Sequence, residues 1–213
     1  MLSLPIYDLP TRSASGMIIR HVLPRSFPPQ LVGPLSQKQL FAILTIGDVI
    51  IGVGHGSPSE LTGHKDQVIL DTESIPDVKG KIITLISCET AQVLGPALID
   101  AGAASYIGFQ KDLVWVCDAD LASRPWRDKV AQTVMGPITD CVNAILDGRT
   151  VKEAFDAMLS DLSANAQVEE DELVRSCILF NKKNAVLLGN PEAKTRKRPP
   201  IFMPVGPPPL PPF

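Results

Sequence analysis

The chain has 213 residues, of which 45% are hydrophobic and 20% are charged, and its formal net charge is −3. This composition is typical of a soluble globular protein with one large or two small domains. The small net charge gives no reason to expect binding to nucleic acid or to an anionic membrane. No apolar run reaches the ~20 residues of a membrane span, and prolines and Asp8 interrupt any signal-peptide core. We expect a cytoplasmic protein.

The cysteines are widely spaced, at Cys88, Cys117, Cys141 and Cys177. They form no CxxC pair and have no histidine at ligand spacing, which argues against a zinc site. In a chain of this length, such cysteines are expected to be free thiols in a reducing compartment. We therefore expect no metal and no cofactor.

Residues 1–34 carry six prolines and are predicted to form an extended N-terminal arm with one strand, GMIIRHVL. The next segment, LSQKQLFAIL over 35–44, has a serine near its start and is predicted to be a short helix. It is followed by DVIIGVGHG over 48–56. This run of apolar, largely β-branched residues, closed by glycines, is typical of a buried parallel strand.

Further strands and one helix are predicted in the middle of the chain. KDQVILDTESI contains a short strand, and GKIITLISC is a second buried strand. Residues 89–103 have apolar side chains at helical spacing and Gly102 near the end, which predicts a helix. SYIGF is a third strand, and LVWV either continues it or forms a fourth.

The last part of the domain is predicted to be mostly helical. Residues 124–146 have a helical pattern with a break at Gly136 and Pro137. In TVKEAFDAMLSDLSANA, Thr150 and Glu153 have the spacing of a capping box at the start of an amphipathic helix. VRSCILF and NAVLLGN are predicted to close the domain as a hairpin or strand pair. Strands alternating with helices predict an α/β sheet covered on both faces.

After Pro191 the composition changes to a basic cluster and a proline run, TRKRPPIFMPVGPPPLPPF. Residues 194–213 are predicted to form an extended, polyproline-like tail. Such a tail is a candidate ligand for an aromatic-lined groove of a partner domain, such as an SH3-type site. The alternative is a packing arm or an unstructured tail. The α/β domain is thus predicted to occupy 35–193.

Two polar residues follow predicted buried strands, His55 after VIIGVG and Cys88 after IITLIS. Open α/β sheets place their clefts at the carboxyl ends of parallel strands. If the two strands are neighbours, the imidazole and the thiol project into one cleft. The imidazole could then take the thiol proton and later return it to a leaving amine. Taken singly, Cys88 could be a core cysteine and His55 a turn residue.

The neighbours of His55 and Cys88 fit the same chemistry. Gly56 has no side chain to block a carbonyl oxygen, so its N–H could join that of Cys88 in an oxyanion hole. Cys88 is predicted to lie just before a helix, whose N-terminus would favour negative charge on sulfur. Glu89 could tune the thiol, cap the helix or touch the substrate.

Several segments, in order along the chain, resemble the caspase-like (clan CD) cysteine peptidases. DVIIGVGHGSPSE resembles their His-Gly strand, and IITLISCETAQVLGPALIDAGAASYIGF is similar to the CHAT-type segment in which a cysteine ends a strand. VWVCDAD lies where the family has a Trp-containing loop. ILDGRTVKEAFDAM resembles its pair of helices, and AVLLGNPEA its closing strand. The resemblance covers residues 40–193 and is closest to CHAT-type domains.

This resemblance implies a caspase-like three-layer α/β sandwich, with a mostly parallel sheet and helices on both faces. It also implies a cysteine endopeptidase that acts on peptide or protein substrates. His55 would be the general base and acid, and Cys88 the nucleophile. The N–H groups of Gly56 and Cys88 would form the oxyanion hole. Because the family's usual companion domains are missing, we expect a regulatory protein partner on another chain.

The resemblance also implies a pocket that reads the residue before the cut. Trp115 would be a wall of this pocket, and Asp118 or Asp120 its base. A carboxylate there would favour Arg or Lys in the substrate. The alternative is that both are ordinary loop carboxylates in water.

Two other functions remain open from the sequence. The first is a catalytically silent caspase-like fold that acts as a protein-binding module, with the proline-rich tail as its interaction element. The second is a tetrapyrrole metal chelatase, because VGHGSP also resembles the strand end in which a histidine binds the metal. That motif normally lies near the start of its chain, whereas here it comes well into the sequence.

Overall fold

The computed structural model describes residues 2–3, 8–22, 47–121 and 124–195. The strands are β1 (Leu2–Ser3), β2 (Val49–Val53), β3 (His55–Gly56), β4 (Glu60–Thr62), β5 (Val68–Asp71), β6 (Ile82–Ile86), β7 (Ser105–Phe109) and β8 (Ala185–Gly189). The α-helices are α1 (Leu9–His21), α2 (Leu94–Asp100), α3 (Lys129–Leu146), α4 (Val151–Val168) and α5 (Glu172–Asn184). The predicted helix over 35–44 and the tail beyond residue 195 lie outside the described residues.

The central sheet has the strand order β1-β2-β6-β7-β8. Its first four strands are parallel, and β8 runs antiparallel to β7. Every residue of β2, β6 and β7 is buried, as expected for strands covered on both faces. A small antiparallel sheet, β3-β4-β5, lies beside it. The predicted α/β fold with a mostly parallel sheet is confirmed.

The central sheet separates two hydrophobic clusters. Val49, Ile51 and Val53 of β2 lie in one cluster, which also takes buried residues of α1, α3, α4 and α5. Ile50 lies in the other, with buried residues of α2, β4 and β5. Successive strand residues point to opposite faces, so helices cover both sides of the sheet in three layers. Within the described ranges, no helix is both long and apolar enough to cross a membrane.

The N-terminal prediction is wrong, because Leu9–His21 form a helix where an extended arm with the strand GMIIRHVL was expected. Asp8 caps this helix, with its Oδ1 accepting the N–H of Thr11 at 2.9 Å. The early proline lies in the first turn, where its missing N–H is not needed. Met17 and Ile18 are buried, so the apolar residues that suggested a strand pack as one face of a helix.

The predicted strand pair at the end of the domain is also wrong in its first half. VRSCILF belongs to α5, which is capped by Asp171 through the N–H groups of Leu173 and Val174 at 2.8 and 3.1 Å. Val174 and Ile178 are buried at helical spacing. NAVLLGN does supply a strand, β8, but it pairs with β7. LVWV forms no strand, because the backbone of Val114 bonds to a side chain of α5.

The predicted break at Gly136 and Pro137 does not occur, since α3 runs through both residues. Pro137 has no N–H to give to the carbonyl of Thr133, four residues earlier. That carbonyl instead accepts the side-chain amide of Asn165 of α4 at 2.8 Å. The predicted capping box at the start of α4, between Thr150 and Glu153, is confirmed.

Candidate active site

His55 and Cys88 lie at the same edge of the central sheet. They follow β2 and β6, which are adjacent parallel strands with Val53 paired to Ile86. The N–H of Gly54 donates to the carbonyl of Ile86 at 3.4 Å, which carries the contact one residue further. β2 and β6 therefore end side by side, two residues before His55 and two residues before Cys88.

Gly56 packs directly against the turn that carries Cys88. A Cβ at position 56 would clash with the Cys88 carbonyl oxygen and lie 2.8 Å from the Thr90 Cγ2. Gly56 pairs with Leu61 of β4. In the next pair along, the N–H of Ser57 donates to the carbonyl of Glu60 at 3.0 Å, so that pair is the hydrogen-bonded one. By the alternation of antiparallel pairing, the Gly56 N–H therefore points away from β4.

Cys88 begins a tight turn, so the prediction that it lies just before a helix is wrong. The N–H of Thr90 donates to the Cys88 carbonyl at 2.7 Å. Between them, Glu89 has a φ of 56°, a conformation that costs a residue with a side chain roughly 1 kcal/mol or more. The chain reaches its next helix, α2, only at Leu94.

A buried hydroxyl network holds this turn in place. The Oγ atoms of Ser87 and Thr90 lie 3.0 Å apart. The hydroxyl of Tyr106 on β7 donates to the same Thr90 oxygen at 2.9 Å. Because buried hydroxyls are costly unless paired, the network favours the turn over a continuing helix.

The Cys88 thiol lies between the sheet edge and the loop that follows β7. Its Sγ accepts the N–H of Leu113 at 3.4 Å. Partial burial raises the pKa of the thiol, the charges of Asp112 and Glu89 raise it further, and the Leu113 N–H opposes them only in part. At neutral pH the resting side chain is therefore a thiol. Among the described residues, no hydrogen bond joins Sγ to His55.

His55 is held by a carboxylate from the N-terminal helix. Its Nε2 lies 2.7 Å from Oδ2 of Asp8, whose Oδ1 accepts the N–H and hydroxyl of Thr11 at 2.9 and 2.8 Å. Partial burial acts to raise the pKa of Asp8, but hydrogen bonds from Thr11 and His55 outweigh it and the pKa lies below its usual value. Asp8 is thus ionised at neutral pH.

The residues predicted to form a substrate pocket differ in burial and in their contacts. Trp115 is half-buried and packs against the same hydrophobic cluster as Cys88, and its buried Nε1 has no hydrogen-bond partner in the described part of the chain. Glu89 lies next to the thiol, and its Oε1 accepts the Gln92 amide at 3.2 Å. Asp118 and Asp120 are exposed, and Oδ1 of Asp118 accepts the Asp120 N–H at 2.8 Å.

Three acidic residues of the site were missed from the sequence. Asp8 had a signal, since an aspartate followed closely by proline is typical of a helix start. Asp128 has a weaker signal, because it is an N-cap residue type with no proline following it closely. Only 2% exposed, it caps α3 through Ala131 at 3.0 Å and accepts the Asp118 N–H at 2.7 Å. Asp112 had none, because its charge acts on Cys88 from a different loop, the one that follows β7.

The chain was compared with known proteins. No family model matches it, and no curated protein matches it. A solved structure, the Arg specific cysteine proteinase gingipain R, is similar over 86% of this chain and 42% of that protein, with 13% sequence identity and a TM-score of 0.49. The chain therefore spans less than half the length of that protein. Among the described residues, no group of three or more His, Cys, Asp or Glu side chains could hold a metal ion.

Proposed function

We propose that the protein is a caspase-like cysteine endopeptidase, with Cys88 as nucleophile and His55 as general base and acid. The observation that carries the proposal is that β2 and β6 pair in parallel and end side by side, two residues before His55 and two residues before Cys88. Ligand clefts of open α/β sheets lie along this edge. The packing of Gly56 on Cys88 supports the same assignment.

In the proposed reaction, His55 accepts the Cys88 thiol proton as Sγ attacks the scissile carbonyl carbon. The carbonyl oxygen becomes an oxyanion, which the N–H groups of Gly56 and Cys88 would stabilise. Protonated His55 then gives its proton to the leaving amine, and a thioester to Cys88 remains. Water, deprotonated by His55, hydrolyses the thioester and restores the thiol.

The proposed roles account for the raised pKa of Cys88 and for the position of Asp8. A thiol that is protonated at rest needs a base to form the thiolate, and that base becomes positively charged when it takes the proton. The Asp8 carboxylate at Nε2 would stabilise this imidazolium and hold the ring in place.

We further propose that the enzyme cleaves after a basic residue. The charges of Asp112 and Glu89 act on the Cys88 thiol, so an Arg or Lys bound beside Sγ would compensate both. Trp115 remains the proposed wall of the pocket, and Asp118 and Asp120 remain candidates for its base. A protein substrate, a regulatory protein partner and a domain that binds the proline-rich tail are the proposed partners.

A catalytically silent binding module is the second candidate function. It is favoured by the raised pKa of Cys88 and by the absence, among the described residues, of a hydrogen bond from Sγ to His55. Such a protein would keep the sheet edge as a peptide-binding cleft without forming a thiolate.

A covalent probe separates the two functions. A peptide with a basic last residue and a carboxyl-terminal electrophilic ketone should label wild-type protein on Cys88, as read by mass spectrometry of the intact chain and its peptides. His55→Ala should label at least about tenfold more slowly, and Cys88→Ala should not label. Wild-type protein that stays unlabelled under conditions where it is folded would contradict the peptidase proposal and support the binding module.

A further inference from the structure

Residues 110–114 form an irregular segment that contacts the Cys88 turn on one side. The carbonyl of Lys111 accepts the N–H of Glu89 at 3.2 Å. Leu113, which is buried, donates its N–H to the Cys88 Sγ at 3.4 Å. This segment therefore supplies a backbone donor to the sulfur, and the donor must be held in position because no strand ladder fixes it.

The other side of the segment is fixed by the end of α5. The N–H of Gln110 donates to the carbonyl of Asn184 at 2.9 Å. The N–H of Val114 donates to Oδ1 of Asn181 at 3.0 Å, and the Asn181 Nδ2 donates to the carbonyl of Val114. The Asn181 amide thus pairs with both backbone groups of Val114, as a neighbouring strand residue would.

Asn181 occupies a core position of its helix. It is 0% exposed, and it follows the buried residues Val174 and Ile178 at helical spacing. An unpaired amide buried in such a place would destabilise the fold, whereas a leucine there would stabilise it. The polar side chain at this position is explained by its two bonds to Val114, the residue directly after the Leu113 donor.

We propose that Asn181 is a positioning residue for the Cys88 thiol: by holding Val114, it aims the Leu113 N–H at Sγ. The Leu113 N–H favours the thiolate over the thiol, since a hydrogen bond to a charged acceptor is stronger than one to a neutral acceptor. The proposal deepens the proposed function, because it concerns the same nucleophile, but its test does not require cleavage.

The test measures alkylation of Cys88 by iodoacetamide as a function of pH. Digestion with trypsin places each of the four free cysteines on its own peptide, so the rate at Cys88 is read on the peptide 82–111. Asn181→Ala is compared with wild type and with Asn143→Ala. Asn143 is a matched control, since it is 5% exposed, lies on α3, and its buried Oδ1 has no partner among the described residues.

In Asn181→Ala we expect the apparent pKa of Cys88 alkylation to rise by roughly half to one unit, and the rate at pH 7.5 to fall about three- to tenfold. The plateau rate at high pH, where Cys88 is fully a thiolate, reports the exposure of the sulfur. A changed plateau would indicate a loosened loop, whereas a shifted pKa with the same plateau would indicate loss of the Leu113 donor. Asn143→Ala should keep the wild-type profile. If Asn181→Ala does not fold, Asn181→Leu preserves the packing and should show the same shift.

An unchanged alkylation profile in a folded Asn181 variant, or an equal change in Asn143→Ala, would overturn the positioning role. A different result would contradict the proposed peptidase function. Wild-type protein that cleaves no peptide, but whose alkylation profile depends on Asn181, would leave the positioning role standing and remove the catalytic one.

Discussion

The Asp8 carboxylate lies 2.7 Å from Nε2 of His55, although the two residues are 47 positions apart in the sequence. Asp8 also caps α1, so the same side chain fixes the first turn of the N-terminal helix and the imidazole. The N-terminal segment is therefore part of the candidate site. Two substitutions separate its two roles.

Asp8→Asn should reduce peptide cleavage while keeping the cap of α1. An asparagine can still cap the helix, but it carries no charge to stabilise the imidazolium. A hydrogen bond to a charged group contributes about 1.5–3 kcal/mol, so kcat/KM should fall roughly ten- to a hundredfold. Asp8→Ala should lose the cap as well and unfold about 1 kcal/mol more easily. Equal kcat/KM in wild type and both variants would show that Asp8 has no role in the reaction.

The contribution of Asp8 to stability should depend on pH. Because the folded pKa lies below the ordinary value of 3.8, the contribution is fully present above that ordinary value and is lost as the pH falls through the folded pKa. Urea unfolding of wild type and Asp8→Asn should differ most at neutral pH, and the two curves should converge in strong acid. A difference that grows on acidification would contradict the lowered pKa.

Asp112→Asn should make Cys88 more reactive at neutral pH. Removing one of the carboxylates that raise the thiol pKa moves that pKa back towards its usual value, so the thiolate fraction increases. We expect alkylation at pH 7.5 to accelerate about two- to fivefold, on the scale that one nearby charge shifts a pKa. If Asp112 also binds substrate, the preference for Arg or Lys before the cut should decrease.

Asp120→Asn is the control for this substitution, because it removes the same charge from an exposed residue of the same loop. Its alkylation rate should remain at the wild-type value. An equal acceleration in both variants would mean that net charge, and not the position of Asp112, controls the thiol.

Gly56→Ala should disrupt the candidate site by displacing the backbone that carries Cys88. The added Cβ would clash with the Cys88 carbonyl oxygen, and the required shift should destabilise the fold by about 1–3 kcal/mol and reduce cleavage roughly a hundredfold. Gly136→Ala is the control, since a Cβ there meets nothing within 4 Å and should stabilise α3 by about 0.5–1 kcal/mol. Wild-type cleavage by Gly56→Ala would refute the close packing of Gly56 on Cys88.

The central strands and the longer helices could be predicted because their signals are local. VIIGV and IITLI are buried on both faces and contain only apolar residues apart from one Gly and one Thr. Thr150 caps α4 by accepting the N–H of Glu153, which is only three positions away. GMIIRHVL and VRSCILF suggest strands because each short run contains three β-branched or aromatic residues among its apolar positions. Their caps, Asp8 and Asp171, lie outside those runs.

The positions of His55 and Cys88 could be predicted from the sequence, but their surroundings could not. A polar residue after a buried strand can be recognised in the amino-acid sequence, whereas the contact of Asp8 with His55 depends on where α1 packs. Likewise, the Leu113 donor reaches Cys88 because α5 holds Val114. Interactions between segments so distant in sequence leave no local pattern.

The most direct test of the central claim is cleavage of a positional peptide library by wild type, His55→Ala and Cys88→Ala. We expect wild type to cleave, with Arg or Lys preferred before the cut. Cys88→Ala should lose cleavage by at least about a thousandfold, on the scale seen when a nucleophile is removed, while its urea unfolding curve stays close to that of wild type. Cys117→Ala should cleave normally. Cleavage by Cys88→Ala at the wild-type rate would contradict the account.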